Sequence, residues 1–87
     1  MKNLEIAKIL YEIAEMLEMQ GIAFKPMVYQ KAARAIEGMS EDIVEVYKRG
    51  KLEDIPGVGK HIAEKIIELI KTGRLKYYSD LKKKIPV

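Results

Sequence analysis

Apolar positions along this chain recur three and four residues apart, and no stretch sustains the two-residue alternation of a half-buried strand. The pattern predicts an all-α domain, a compact bundle of about four to five short helices. Asn3 suits the N-cap of a first helix reaching Met19, with Leu4, Ala7, Leu10, Ala14 and Leu17 on one face and Gly21 ending it. Pro26 fits the first turn of a second helix, whose Tyr29, Ala32, Ala33 and Ile36 share a face up to Gly38. Ser40 reads as the cap of a third, with Glu41 and Asp42 in its first turn and Gly50 as its stop. A turn over 51–54 leads to Pro56-Gly57-Val58-Gly59, and a further helix runs from about Lys60 to Thr72, closed by Gly73. A last helix spans roughly 74–84, with Pro86 just outside it. Met16, Met19, Met27 and Met39 are expected to fill gaps in the core. No repeat or linker divides the chain, so one domain should cover 1–87, and the ending Ile-Pro-Val suggests a piece of something longer.

The turn before the fourth long helix carries the first chemical signal. Pro56 fixes φ and pre-sets a turn, while Gly57 and Gly59 permit backbone angles and close approaches that a Cβ would forbid. The first N–H groups of the helix that follows have no intrahelical partner, and its dipole places partial positive charge there. Such a terminus suits an anion, a nucleic-acid phosphate among them. An ordinary turn between two helices has the same residues.

Charge narrows that choice. The net charge is +3, but residues 1–59 hold 8 Lys/Arg against 10 Asp/Glu, whereas residues 60–87 hold 8 against 3. The basic region thus begins at the glycine hairpin, which is the electrostatic footprint of a polyanion partner. The chain has no cysteine and one histidine, which argues against disulfides, thiolate sites and zinc and fits a cytosolic protein. One Asn and two Gln among many Lys, Glu and Ile give a thermophile-like composition. No apolar run approaches the roughly 20 residues of a membrane span.

In the helix after the hairpin, Ile62, Ala63, Ile66, Ile67, Leu69 and Ile70 gather on one side, and Lys60, Glu64, Glu68 and Lys71 on the other. His61 and Lys65, four apart, share one border of the apolar stripe. A border lysine can be partly desolvated while its nitrogen meets a ligand, and the cations Lys60 and Lys25 nearby would also favour the neutral, nucleophilic amine. Periodicity alone favours a snorkelling surface lysine, or one tethered to Glu64, Glu68 or Glu18 as a weak ion pair.

The run Leu52-Glu-Asp-Ile-Pro-Gly-Val-Gly-Lys-His-Ile-Ala-Glu-Lys-Ile-Ile-Glu-Leu-Ile-Lys-Thr-Gly-Arg-Leu75 resembles the helix-hairpin-helix segment in the N-terminal domain of family X DNA polymerases, the polymerase beta group. Upstream, Tyr29-Gln-Lys-Ala-Ala-Arg-Ala-Ile-Glu-Gly38 is similar to that domain's Tyr-x-Lys-Ala-Ala helix, so the likeness spans about residues 4–85. The resemblance implies a prokaryotic, cytoplasmic, monomeric DNA-repair domain, followed by polymerase domains, that binds the 5′-phosphate side of gapped or nicked DNA and takes part in base excision repair. It further implies 5′-deoxyribose phosphate lyase chemistry, with Lys65 as Schiff-base nucleophile, Glu64 assisting proton transfer and Tyr29 positioning lysine and sugar. Lys25, Gly57, Val58, Gly59, Lys60 and His61 are implied as phosphate contacts. The carbonyls of Glu53, Ile55 and Val58 would hold Na+ or K+, and the lyase step needs no cofactor. The chain departs from the family at His61 and Tyr77, where basic residues are expected, and at Phe24, in place of a histidine. Nothing in it replaces the carboxylates of nucleotidyl transfer. Two alternatives carry the same pattern: a non-catalytic helix-hairpin-helix DNA-binding module, and a helical domain docking an acidic protein. The glycine hairpin and the absence of a large aromatic anchor weigh against the latter.

Overall fold

The computed structural model describes residues 2–85; the position expected for Pro86 lies outside the described residues. Five helices follow in order: α1 Asn3–Met19, α2 Lys25–Glu37, α3 Ile43–Lys48, α4 Lys60–Thr72 and α5 Lys76–Lys83, with a 3-10 turn at Leu52–Asp54. No strand occurs among the described residues. The helical period of the apolar positions accounts for this result.

α1 ends in a Schellman arrangement, Gly21 N–H to Glu18 O and Ile22 N–H to Leu17 O, with Gly21 at φ +74°. The chain then turns back, and Tyr11 meets Glu37 while Glu18 meets Gln30, the pairing of an antiparallel helix pair. Ala32 and Ala33 are fully buried at this seam, where a larger side chain would hold the helices apart. Leu10, Ile13, Leu17, Ile36, Ile43 and Ile66 form the fully buried centre. Each such side chain stabilises the fold by about 1.5–3 kcal/mol.

Several sequence expectations are corrected here. Asn3 is not an N-cap but the first residue of α1, 3% exposed. Its Nδ2 donates to Glu41 O at 2.8 Å and its Oδ1 accepts from Ile43 N–H at 2.9 Å, fastening the start of α1 to the start of α3. Asp42, not Ser40, caps α3, because its Oδ1 accepts from Val44 N–H. Leu4 faces solvent, and Ile6 and Ile13 occupy the face assigned to it. Among the methionines, Met16 is buried and Met39 packs against the core, but Met19 and Met27 flank the α1–α2 loop in solvent. In that loop Lys25 N–H donates to Ala23 O around Phe24 at φ +70°, a γ-turn with a left-handed central residue.

Candidate nucleic-acid interface

The hairpin is built around one hydrogen bond, Val58 N–H to Ile55 O at 3.0 Å. Pro56 and Gly57 take its two central positions, and Gly57 sits at φ +82°, the arrangement of a type II turn. A Cβ on Gly57 would lie 3.0 Å from Lys31 Cγ and 3.2 Å from Ala32 N. Gly57 therefore serves two demands, a left-handed turn position and direct contact with the backbone of α2. Ile55 and Val58 are buried and anchor the two sides of the turn in the core.

Contact with α2 brings the N-terminus of α4 beside the start of α2. The first intrahelical acceptor bond is Ala63 N–H to Gly59 O. Among the described residues, the N–H groups of Gly57, Gly59, Lys60 and His61 have no hydrogen-bond acceptor. Gly59, Lys60 and His61 are exposed, so these donors face solvent and can meet an anion. Val58 is a correction to the expected phosphate contacts: its N–H is committed to Ile55 O and its side chain is buried.

The carbonyls expected to hold a monovalent cation fit that role by their donor chemistry. The next 3-10 donor for Glu53 O would come from position 56, which is proline and has no N–H. Val58 O has no donor among the described residues, and Ile55 O accepts from Val58 while keeping its second lone pair. Neutral oxygens of this kind suit a hard cation, which would supply positive charge beside a phosphate.

Lys25, Val28 and Tyr29 of α2, His61, Ile62 and Lys65 of α4, and Tyr77 of α5 line one cavity of about 410 Å³. Three of these can carry positive charge and none carries negative charge. Lys25, Tyr29, His61 and Lys65, assigned from the sequence, thus come together. Glu64 and Lys60 are exposed and do not line the cavity. Tyr29 is 6% exposed, and burial, with the Tyr77 phenol adding to it, holds its hydroxyl protonated well above the ordinary tyrosine range.

Tyr77, to which the sequence assigns no role of its own, is part of the site. Its ring stacks on Tyr29, with centroids 6.2 Å apart and planes 12° from parallel. Lys65 Nζ lies 4.6 Å from the Tyr77 centroid. α5 has no side-chain cap of its own at Leu75; instead Glu68 Oε2 of α4 accepts from Lys76 N–H at 2.9 Å. That bond ties the first turn of α5, and Tyr77 with it, to the helix carrying Lys65. The resemblance marks position 77 as a basic residue lost from the phosphate pocket, without giving the tyrosine itself a role.

The family described as Helix-hairpin-helix domain matches residues 1–75. DNA polymerase lambda of Rattus norvegicus, a family X enzyme, is 28% identical over 85 residues, which is 98% of this chain and 14% of the relative. The chain thus spans about a seventh of that relative's length. The similarity to family X read from the sequence is present in this match, and the hairpin, the unpaired N–H groups and the matched span lead to one assignment. The chain belongs to the helix-hairpin-helix domain family.

Proposed function

We propose that this domain binds DNA without regard to sequence, at the 5′-phosphate side of a gap or nick, as part of a family X polymerase. Lys65 is proposed to act there as a 5′-deoxyribose phosphate lyase. The observation that carries this reading is the position of the Lys65 amine in a cavity lined by Lys25 and His61, beside the unpaired N–H groups at the start of α4. Backbone donors and lysines read phosphate rather than base edges, so affinity should be blind to sequence and steeply dependent on salt. The name of the similar rat protein, a DNA polymerase, supports a DNA ligand. A monovalent cation on the carbonyls of Glu53, Ile55 and Val58 would add positive charge near the DNA backbone.

The residues suit the following sequence. A phosphate held by Lys25, His61 and the N–H groups of Gly59 and Lys60 sets the attached sugar, in its open aldehyde form, against Lys65. Lys65 sheds a proton to water, and its amine adds to C1′; loss of water then gives a protonated Schiff base. Loss of a C2′ proton to water drives the electron pair towards C3′, breaking the C3′–O bond and leaving a 5′-phosphate on the DNA. Water hydrolyses the unsaturated Schiff base and returns Lys65. Tyr29, buried and protonated, supplies a neutral wall rather than a base.

Borohydride reduction with DNA carrying a 5′-deoxyribose phosphate tests this directly. A covalent adduct mapped by mass spectrometry to Lys65, absent from Lys65→Ala, is expected. If wild type and Lys65→Ala trap equally little while both bind gapped DNA, the domain is a non-catalytic binding module.

A further inference from the structure

We infer that Tyr77 is a positioning residue for Lys65: the face of its ring docks the ammonium at the cavity and restrains the amine from acting as a nucleophile. This rests on the lyase reading for its meaning, but the contact itself does not. Lys65 Nζ lies 4.6 Å from the ring centroid, within the range over which an aromatic face attracts a cation. The ring is itself held in place. Tyr29, buried in α2, stacks against it, and Glu68 secures the first turn of α5 through Lys76 N–H. Tyr77 lines the same cavity as Lys25, His61 and Lys65, so the docked ammonium faces the proposed phosphate site.

The attraction is selective for one protonation state. A ring quadrupole draws in a positive charge and offers little to a neutral amine. Docking therefore favours Lys65 as a phosphate-binding cation and opposes proton loss, the step that must precede attack on C1′. A lysine at position 77 would repel the Lys65 ammonium, whereas the aromatic ring retains it. Tyr77 thus shifts the balance of this cavity from amine chemistry towards phosphate binding.

Two readouts separate this inference from the lyase proposal. The first is competitive acetylation with acetic anhydride in the absence of DNA, with Lys65 and Lys25 quantified by mass spectrometry between pH 7 and 9. In Tyr77→Leu, Lys65 acetylation relative to Lys25 should rise about two- to five-fold, the factor corresponding to an accessible cation–π contact. Tyr77→Phe, which keeps the ring face, should match wild type. The second is the rate of borohydride-trapped adduct formation with 5′-deoxyribose phosphate DNA. That rate should rise by a similar factor in Tyr77→Leu and be restored by Tyr77→Phe. Unchanged or reduced Lys65 acetylation in Tyr77→Leu would overturn the inference, as would a Tyr77→Phe protein behaving like Tyr77→Leu. Should acetylation respond while no variant forms an adduct, the inference stands and the lyase reading falls. Should wild type form the adduct while acetylation ignores position 77, the lyase reading stands and the inference falls. Should Tyr77→Leu fail to fold, Tyr77→Lys replaces it: a cation at position 77 should raise Lys65 acetylation at least as much, and no rise overturns the inference.

Discussion

Replacing Gly57 by alanine isolates the contact that assembles the interface. The new Cβ meets two separate penalties. At φ +82° an L side chain costs about 1–2 kcal/mol. The Cβ would also stand 3.2 Å from Ala32 N, a backbone atom that moves only if the hairpin or α2 moves. Overpacking of this kind costs about 1–3 kcal/mol, so the total is roughly 2–5 kcal/mol. A domain of 87 residues has an expected stability of roughly 4–13 kcal/mol, so this loss is a substantial share. At about 4–8 °C per kcal/mol the melting temperature should fall by roughly 8–40 °C. Two further glycines divide the effect. Gly73, at φ +74° with nothing within 4 Å of a Cβ, carries the left-handed penalty alone. Gly59, at φ −98° and equally open, carries neither penalty, and as the N-cap of α4 its change to alanine should cost only about 0.5–1 kcal/mol. Thermal unfolding followed by circular dichroism should rank the losses Gly57→Ala above Gly73→Ala above Gly59→Ala. A Gly57→Ala protein no less stable than Gly73→Ala would refute the idea that close approach to α2 holds the hairpin.

Three other outcomes follow from the fold. Asn3→Ala should cost about 2–3 kcal/mol in urea unfolding, because Ile43 N–H, buried beside it, loses its acceptor. Phe24→Gly should raise stability by about 1 kcal/mol, since glycine relieves the left-handed γ-turn and the phenyl ring it removes is largely in solvent; an unchanged or lower midpoint would show the turn to be unstrained. The Tyr78 hydroxyl bonds the Glu12 carboxylate, and this bond, with burial, pushes its pKa up to about 12. A raised folded-state value means the stabilisation is complete below the unfolded value near 10 and disappears as pH rises through about 12. Tyr78→Phe should lower stability by about 1 kcal/mol at pH 9, allowing for solvent screening, and by less as the pH approaches 12.

Much of this architecture is legible in the residues because its signals are local. α4 runs from Lys60 to Thr72 as read, since Gly59 and Gly73 bracket a strongly amphipathic segment. The face of α2 is equally plain, because Tyr29, Ala32, Ala33 and Ile36 keep a strict helical spacing and all are buried. Caps were less legible. Asn3 and Ser40 are suitable cap residues, but tertiary contact recruits Asn3 to α3, and Asp42 lies closer to the first turn it must satisfy. Met19 and Met27 have apolar side chains at positions where no other element arrives, and nothing in their neighbours' identity records that. Among the site residues, Lys25, Tyr29, His61 and Lys65 converge as expected, since α2 and α4 carry them at helical intervals. Val58 fails as a phosphate contact because the turn uses its N–H internally. The place of Tyr77 depends on the packing of α5 against α1 and on the Glu68 bond to Lys76 N–H, eight residues away, and a local pattern cannot show it.

Recognition of a 5′-phosphate by the hairpin and Lys25 is the central claim, and paired DNA ligands test it most directly. Affinity would be measured by fluorescence anisotropy for one gapped duplex bearing either a 5′-phosphate or a 5′-hydroxyl, in wild type and Lys25→Ala. A charge-assisted phosphate contact contributes about 1.5–3 kcal/mol, so the phosphorylated duplex should bind roughly 10- to 100-fold more tightly to wild type. The advantage should shrink in Lys25→Ala. Equal affinity for the two duplexes, or an advantage untouched by Lys25→Ala, would contradict the account.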